Sequence, residues 1–161
     1  MAGVLALAGA VASSTATPEA APVAIGRADA VLVDKSDRRL HLLREGAVIA
    51  TFPAALGFAP AGHKTQQGDG RTPEGRYVLD WRNPKSRFHL SIHISYPNAA
   101  DKAQAAARGV SPGGDIFIHG TPWLARAVGW DWTLGCIAVS NADMDAIWAS
   151  VADGTPIEIR P

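Results

Sequence analysis

The chain carries a single cysteine, Cys136, and five histidines among its 161 residues. A thiolate is a strong nucleophile, but a free thiol ionises near neutral pH only when a base or a cation sits beside it. The most informative stretch is therefore the one that ends in this residue, Asp131-Trp132-Thr133-Leu134-Gly135-Cys136. Gly135 removes a side chain next to the sulfur and lets a substrate approach the backbone. The successive N–H groups of Leu134, Gly135 and Cys136 can act as donors to an oxyanion, the arrangement that stabilises the tetrahedral intermediate of acyl transfer. A lone cysteine is equally at home as an inert buried side chain, so the base has to be found.

Of the five histidines, His119 fits best. It closes an alternating segment, Asp115-Ile116-Phe117-Ile118-His119, and is followed by Gly120-Thr121-Pro122, which turns the chain. A side chain at a strand end beside a loop sits where reactive groups collect. His89 and His93 lie four apart, which in a strand puts both on one face. A metal pair is conceivable there, but no third ligand has a clear spacing. The reading is structural, and no metal or organic cofactor is expected. His41 falls in a hairpin and His63 in a long loop, and both are expected to be solvated.

A scaffold must bring these residues together. Residues 29–34, 39–43 and 47–55 are short, partly β-branched and separated by turn residues, which predicts a β-meander. Residues 57–75 are polar and Gly-rich without an apolar period, and such long loops in compact domains usually serve function. They end in Thr72-Pro73-Glu74-Gly75, which favours a type I turn. Further strands are expected at 76–81, 87–95, 115–119, 136–140 and 157–160. A short helix over 98–107 has Asn98 as its cap and Gly109 after its end. A second helix starts with Asn141 as cap and buries Met144, Ile147, Trp148 and Val151 on one stripe. The expected class is mainly β with one or two short α-helices, in one domain over residues 27–161.

Composition narrows the function. Hydrophobic residues make up 47% and charged residues 19%, which suits a chain that buries a core and argues against disorder, collagen and coiled coil. Lys plus Arg is 15 and Asp plus Glu is 15, so the net charge gives no reason to expect nucleic acid or an anionic membrane surface as partner. Residues 3–12 form an apolar run of secretory length ending in Ala10-Val11-Ala12, a small-x-small cleavage signal. No Lys or Arg precedes the run, so this signal over residues 1–12 is atypical or begins upstream. It is too short to span a bilayer, and no integral membrane span is expected. Residues 13–26 read as a Ser/Thr/Pro/Ala linker. The expected location is outside the cytoplasm, in the periplasm or cell wall.

Ile118-His119-Gly120-Thr121, the 17-position step from His119 to Cys136, and Thr133-x-Gly135-Cys136 resemble the signature of the L,D-transpeptidase (YkuD-like) catalytic domain. Gly68 to Tyr77, Ser95-Tyr96-Pro97-Asn98 with Asp101, and Gly113 to His119 resemble further segments of that family in the same order. The resemblance covers about residues 29–160 and implies an L,D-transpeptidase-like β-sandwich or barrel. It implies that Cys136 attacks an amide of a peptidoglycan stem peptide. His119 would take the thiol proton and later protonate the leaving amine. The Gly120 carbonyl would orient the imidazole, as an Asp does in a serine triad, and N–H groups at Gly135, Cys136 and Leu134 would hold the oxyanion. The acyl-enzyme then passes to an amine, giving a cross-link, or to water.

Two positions depart from the family pattern: Leu134 stands where a His is usual, and Ala138 where an Arg is common. The variant Asp131-Trp132-Thr133-x-Gly135-Cys136 with Asn141 resembles a subgroup that includes a hydrolase. That relative cuts the bond between peptidoglycan and its attached lipoprotein. Hydrolysis as an L,D-carboxypeptidase or amidase, with a peptidoglycan-linked lipoprotein as partner, therefore stays open, as does a non-catalytic wall-binding module. Trp123, Trp130 and Trp132 crowd the segment before Cys136 and can wall a peptide groove. The candidate substrate contacts are Trp123, Trp132, Thr133, Asp131 and Tyr96, with Asp131 equally able to cap a turn. Arg71 and Arg126 read as surface residues.

Overall fold

A computed structural model of the chain describes residues 25–121 and 131–161. The expected signal segment over 1–12, and the linker up to residue 24, lie outside the described residues. The elements are β1 (Ala30–Asp34), β2 (Arg39–Arg44), β3 (Ala47–Pro53), β4 (Gly75–Ser86), β5 (His89–Ile94), α1 (Ala99–Ala107), β6 (Phe117–His119), β7 (Ile137–Ala138), α2 (Asn141–Ser150) and β8 (Thr155–Arg160). The strands form one curled sheet in the order β3-β2-β1-β8-β4-β5-β6-β7. The fold is mainly β with two helices, as the sequence predicts.

The meander forms for local reasons. Glu45 and Gly46 join β2 to β3 with φ of 50° and 77°, and Arg44 pairs with Ala47. Two positive φ values in a two-residue loop match the twist of the flanking strands. Alternation then buries Val31, Val33, Leu40 and Leu42 on one face. They meet Leu79, Ile92, Ile94, Ile118, Ile137 and Ile157 from the other strands. Helix α2 covers this core with Met144, Ile147 and Val151. Its cap is Ser140 rather than Asn141: the Ser140 hydroxyl accepts the Asp143 N–H at 2.9 Å, and Ser140 keeps an extended backbone. Helix α1 has the expected Asn98 cap, closed by Asp101 into a capping box. No helix among the described residues is long and apolar enough to cross a membrane.

Several boundaries move. β4 runs on to Ser86 instead of ending near 81, by way of two register shifts against β5. β6 begins only at Phe117 because Asp115 has a φ of 55°. β7 is two residues long, since Ser140 is already needed as a cap.

The sheet's two outer strands meet. Ala55, just after β3, pairs with Ala138 of β7 through two backbone hydrogen bonds of 2.8 Å. Gly57 then bridges to Thr133, and the chain enters the long loop that precedes β4.

Two buried lysines pin that loop. The Lys35 ammonium donates to the carbonyls of Gly62 and Thr72 and to Glu74 Oε1 at 2.7–3.1 Å, using three donors. The Lys64 ammonium donates to Gln66 O and to Asp69 Oδ1. His63 is not solvated as expected: its Nδ1 accepts the Glu74 N–H, and its Nε2 lies 3.0 Å from Asp101 Oδ1. Asp101 also accepts the Tyr77 hydroxyl at 3.0 Å, so loop, β4 and α1 share one carboxylate.

Burial opposes ionisation of Asp69. The N–H groups of Thr65, Arg71 and Gln66 and the Lys64 ammonium outweigh it and hold the carboxyl at about 2. A folded-state value below the unfolded one gives stability that is present above pH ~4 and lost as pH falls toward 2. Asp69→Asn is expected to melt below the wild type at pH 7. Thermal unfolding from pH 7 down to 2 should show that gap closing below pH ~4. A gap independent of pH would show that the carboxylate charge is not what holds the loop.

Candidate active site

β6 and β7 pair in parallel, with Ile118 opposite Ile137 and His119 opposite Ala138. Ile118 and Ile137 turn into the core. By the period of two, Phe117, His119 and Ala138 occupy the other face, and one step back in the same register sets Cys136 beside Phe117. The fold thus brings the candidate nucleophile and the candidate base onto one face at the end of the sheet.

His119 is 4% exposed, and its ring lies between two aromatic side chains. Phe88 is at 4.7 Å between centroids, tilted by 32°, and Trp132 at 5.9 Å, near edge-on at 70°. Its Nδ1 lies 2.7 Å from the Gly120 carbonyl oxygen. A carbonyl only accepts, so Nδ1 carries the proton and Nε2 of the neutral ring carries the lone pair. Burial lowers the imidazole's affinity for a second proton, and the Gly120 hydrogen bond opposes this only in part. Gly120 is dictated by space: a Cβ there would stand 2.5 Å from Asn141 Oδ1 and 2.9 Å from the Phe88 carbonyl.

The Cys136 thiol lies 3.5 Å from the Asp115 carbonyl. Burial pushes its pKa up and the Asp115 charge adds to this, while the Phe117 N–H and the Lys64 ammonium pull the other way. Both shifts favour the uncharged forms.

The turn before Cys136 is tied from inside. Thr133 Oγ1 donates to the Cys136 carbonyl at 2.7 Å and accepts the Gly135 N–H at 3.1 Å. Gly135 has a φ of 133°, and a Cβ there would meet the Arg71 carbonyl at 2.7 Å, so glycine is required twice over. Thr133 also exchanges backbone hydrogen bonds with Leu56 and Phe58. Asp131 accepts the Leu56 N–H at 2.9 Å and pairs with the Arg38 guanidinium at 2.8 Å.

These contacts correct part of the expected site. The Gly135 N–H, one of the three expected oxyanion donors, is taken by Thr133 Oγ1. Thr133 is buried and orders the turn instead of meeting substrate. Asp131 is committed to Arg38 and Leu56. Tyr96 is 2% exposed, with its hydroxyl donating to the Pro112 carbonyl at 2.9 Å, and belongs to the core. Trp132 does reach the site, against His119. The Leu134 side chain is 74% exposed and points away from this packing. Trp123, Trp130 and Arg126 lie outside the described residues. His89 and His93 meet separate carboxylates, Asp145 and Asp80, each at 2.6 Å. No group of three metal-ligating side chains is assembled among the described residues. Phe88 went unread in the sequence. An aromatic between Ser86 and His89, at a hairpin turn, was the available signal.

The family model of the L,D-transpeptidase catalytic domain (YkuD) matches residues 28–159. The chain belongs to this family. Among curated proteins, "Putative L,D-transpeptidase YafK" of Escherichia coli K12 is 34% identical over 93 residues, covering 56% of this chain and 32% of that protein. Among solved structures, the helical cell shape determining protein Pgp2 of Campylobacter jejuni is 26% identical with a TM-score of 0.61, over 88% of this chain and 52% of that one. Bd1075 of Bdellovibrio bacteriovorus is 28% identical with a TM-score of 0.58, over 85% and 49%. The chain thus spans about a third of its curated relative and about half of these structures. In this L,D-transpeptidase domain, the histidine and cysteine of the expected signature share one face where β6 pairs with β7.

The Gly120 carbonyl is expected to fix the His119 tautomer. Long-range ¹H–¹⁵N spectra of the wild type should show the proton on Nδ1. In Gly120→Ala, the Asn141 and Phe88 contacts should displace the carbonyl and the spectrum should move toward the other tautomer. An unchanged spectrum in that variant would remove Gly120 as the orienting group.

Proposed function

We propose that this chain is a cysteine-dependent L,D-transpeptidase, exported to the periplasm or cell wall, that acts on peptidoglycan stem peptides through a thioacyl-enzyme. The observation that carries this reading is the 2.7 Å contact from His119 Nδ1 to the Gly120 carbonyl, which leaves Nε2 as a base on the face that holds the chain's one cysteine. The family membership supports a peptidoglycan-related reaction, and the role of Pgp2 in determining helical cell shape is in keeping with it.

The chemistry runs between neutral partners. As the Cys136 sulfur attacks the amide carbonyl, His119 Nε2 takes the thiol proton. The tetrahedral oxyanion is met by the N–H groups of Leu134 and Cys136. Collapse breaks the C–N bond, and the imidazolium returns its proton to the leaving amine. An acceptor amine then attacks the thioester, loses its proton to His119 and frees the thiol as the new amide forms. Water in place of the amine gives hydrolysis. A specific feature favours this second reading: Ala138 replaces the common Arg, which leaves one cation fewer for an acceptor's carboxylate. A peptidoglycan-linked lipoprotein would be one such substrate.

Muropeptide mass spectrometry after incubation with purified sacculi tests the reading. New cross-links or exchanged terminal residues, absent with Cys136→Ala, are expected. Shortened stems or released lipoprotein without new links would establish the hydrolase. No change in either sample would leave a wall-binding module. His119→Ala should lower turnover by about 10²–10⁴-fold, and a near-normal rate would overturn the assignment.

The pH profile follows from the shifts. Because the His119 pKa is lowered from 6.5, the base stays neutral, and kcat/KM should hold, to pH values below 6.5 before falling. An acid limb centred above 6.5 would mean that the imidazole is protonated more readily than its burial allows.

A further inference from the structure

The bulge in β4 builds a second feature beside the nucleophile. Leu79 pairs with Ile94 and Arg82 with Ile92, so two residues of β4, Asp80 and Trp81, oppose the single His93 of β5. The bulge aims both at that histidine. Asp80 Oδ1 lies 2.6 Å from His93 Nδ1, and the Trp81 indole stacks on the His93 ring at 5.1 Å and 22°. Phe117, the register partner of His93 on β6, closes the cluster edge-on, 5.2 Å from Trp81 and 5.0 Å from His93. Phe117 is also the residue beside Cys136, its N–H facing the sulfur. The three rings form a triangular cluster on β4, β5 and β6, and Phe117 is its member beside Cys136 in the register.

The Trp81 side of this cluster is open. Trp81 is 44% exposed, while His93 backs it and Phe117 fixes its edge. A large apolar ring left in water is unfavourable unless something covers it. This ring is held flat in advance, so a ligand that covers it does not have to order it. The rim is polar: the Asp80 carboxylate is 40% exposed, and the His93 ring lies alongside. A flat apolar face with a hydrogen-bonding rim suits a pyranose, which presents C–H groups from its face and hydroxyls from its edge. It does not suit an aliphatic side chain, which needs apolar walls on several sides.

We infer that Trp81, backed by His93 and Phe117 and rimmed by Asp80, is a platform for an amino-sugar ring of the glycan that bears the stem peptide. This rests on the peptidoglycan reading above. A stem that runs from Cys136 past Phe117 would carry its sugar-bearing end to Trp81.

The test is a titration of the full chain with a β-1,4-linked N-acetylglucosamine tetramer, followed by calorimetry and by backbone amide shifts. Saturable binding that moves the amides of Trp81, His93 and Phe117 is expected. Trp81→Ala should weaken it by about tenfold, and Trp81→Phe by about threefold or less. Circular dichroism and melting check that Trp81→Ala is folded, and Trp81→Leu replaces it if it is not. No saturation, or equal affinity in wild type and the non-aromatic variant, overturns the platform. The sugar carries no stem peptide, so binding is read without turnover. Binding without any reaction on sacculi sinks the transpeptidase reading, whereas turnover without sugar binding sinks the platform.

Discussion

The two hydrogen bonds between Ala55 and Ala138 hold the site to the fold. β7 has only two residues, too few to be secured by one neighbour. β6 holds it from one side and Ala55 from the other. Once Ala55 is fixed there, Leu56, Gly57 and Phe58 run beside Thr133 and Asp131, and every bond that orders the turn before Cys136 can form. The glycines follow from the same crowding. A Cβ on Gly57 would stand 2.1 Å from the Gly70 carbonyl, and one on Gly135 would press on the carbonyl of Arg71. The long loop and the nucleophile turn are packed backbone against backbone.

The same packing sets the chemistry. Surrounding His119 with Phe88 and Trp132, and partly burying the thiol, disfavours charge on both groups. An exposed pair would ionise more readily but would also be free to react with any electrophile. On the proposed mechanism, the proton leaves the sulfur as it attacks the amide carbonyl.

Much of this was legible in the sequence. Strand alternation, the Asn98 cap and the class of fold depend on neighbours within a few residues, and those patterns are local. The pairing of His119 with Cys136 came through the family's motif rather than through periodicity. What local pattern could not give were the partners of polar groups across the chain. Asp131 finds Arg38 at a separation of 93 residues, and His63 finds Asp101 at 38. From sequence, a carboxylate beside a nucleophile reads as a substrate contact, and a loop histidine reads as solvated. Tyr96 went astray for a related reason: a tyrosine can be a contact or a core residue with a satisfied hydroxyl, and only its surroundings decide. The β4 bulge is likewise invisible to a period-two reading, which assumes one residue opposite one.

The double pairing of β7 also decides how a peptide can be recognised. Proteins often capture extended chains by letting them join a sheet as one more strand, so that main-chain bonds supply affinity whatever the side chains are. Next to Cys136 that mode is closed, because both edges of β7 are occupied. A substrate has to be read through its own side groups and whatever it carries, against the rings and loops that surround the sulfur. On the proposed function, a sheet joined in this way exchanges indiscriminate backbone capture for selectivity among peptides.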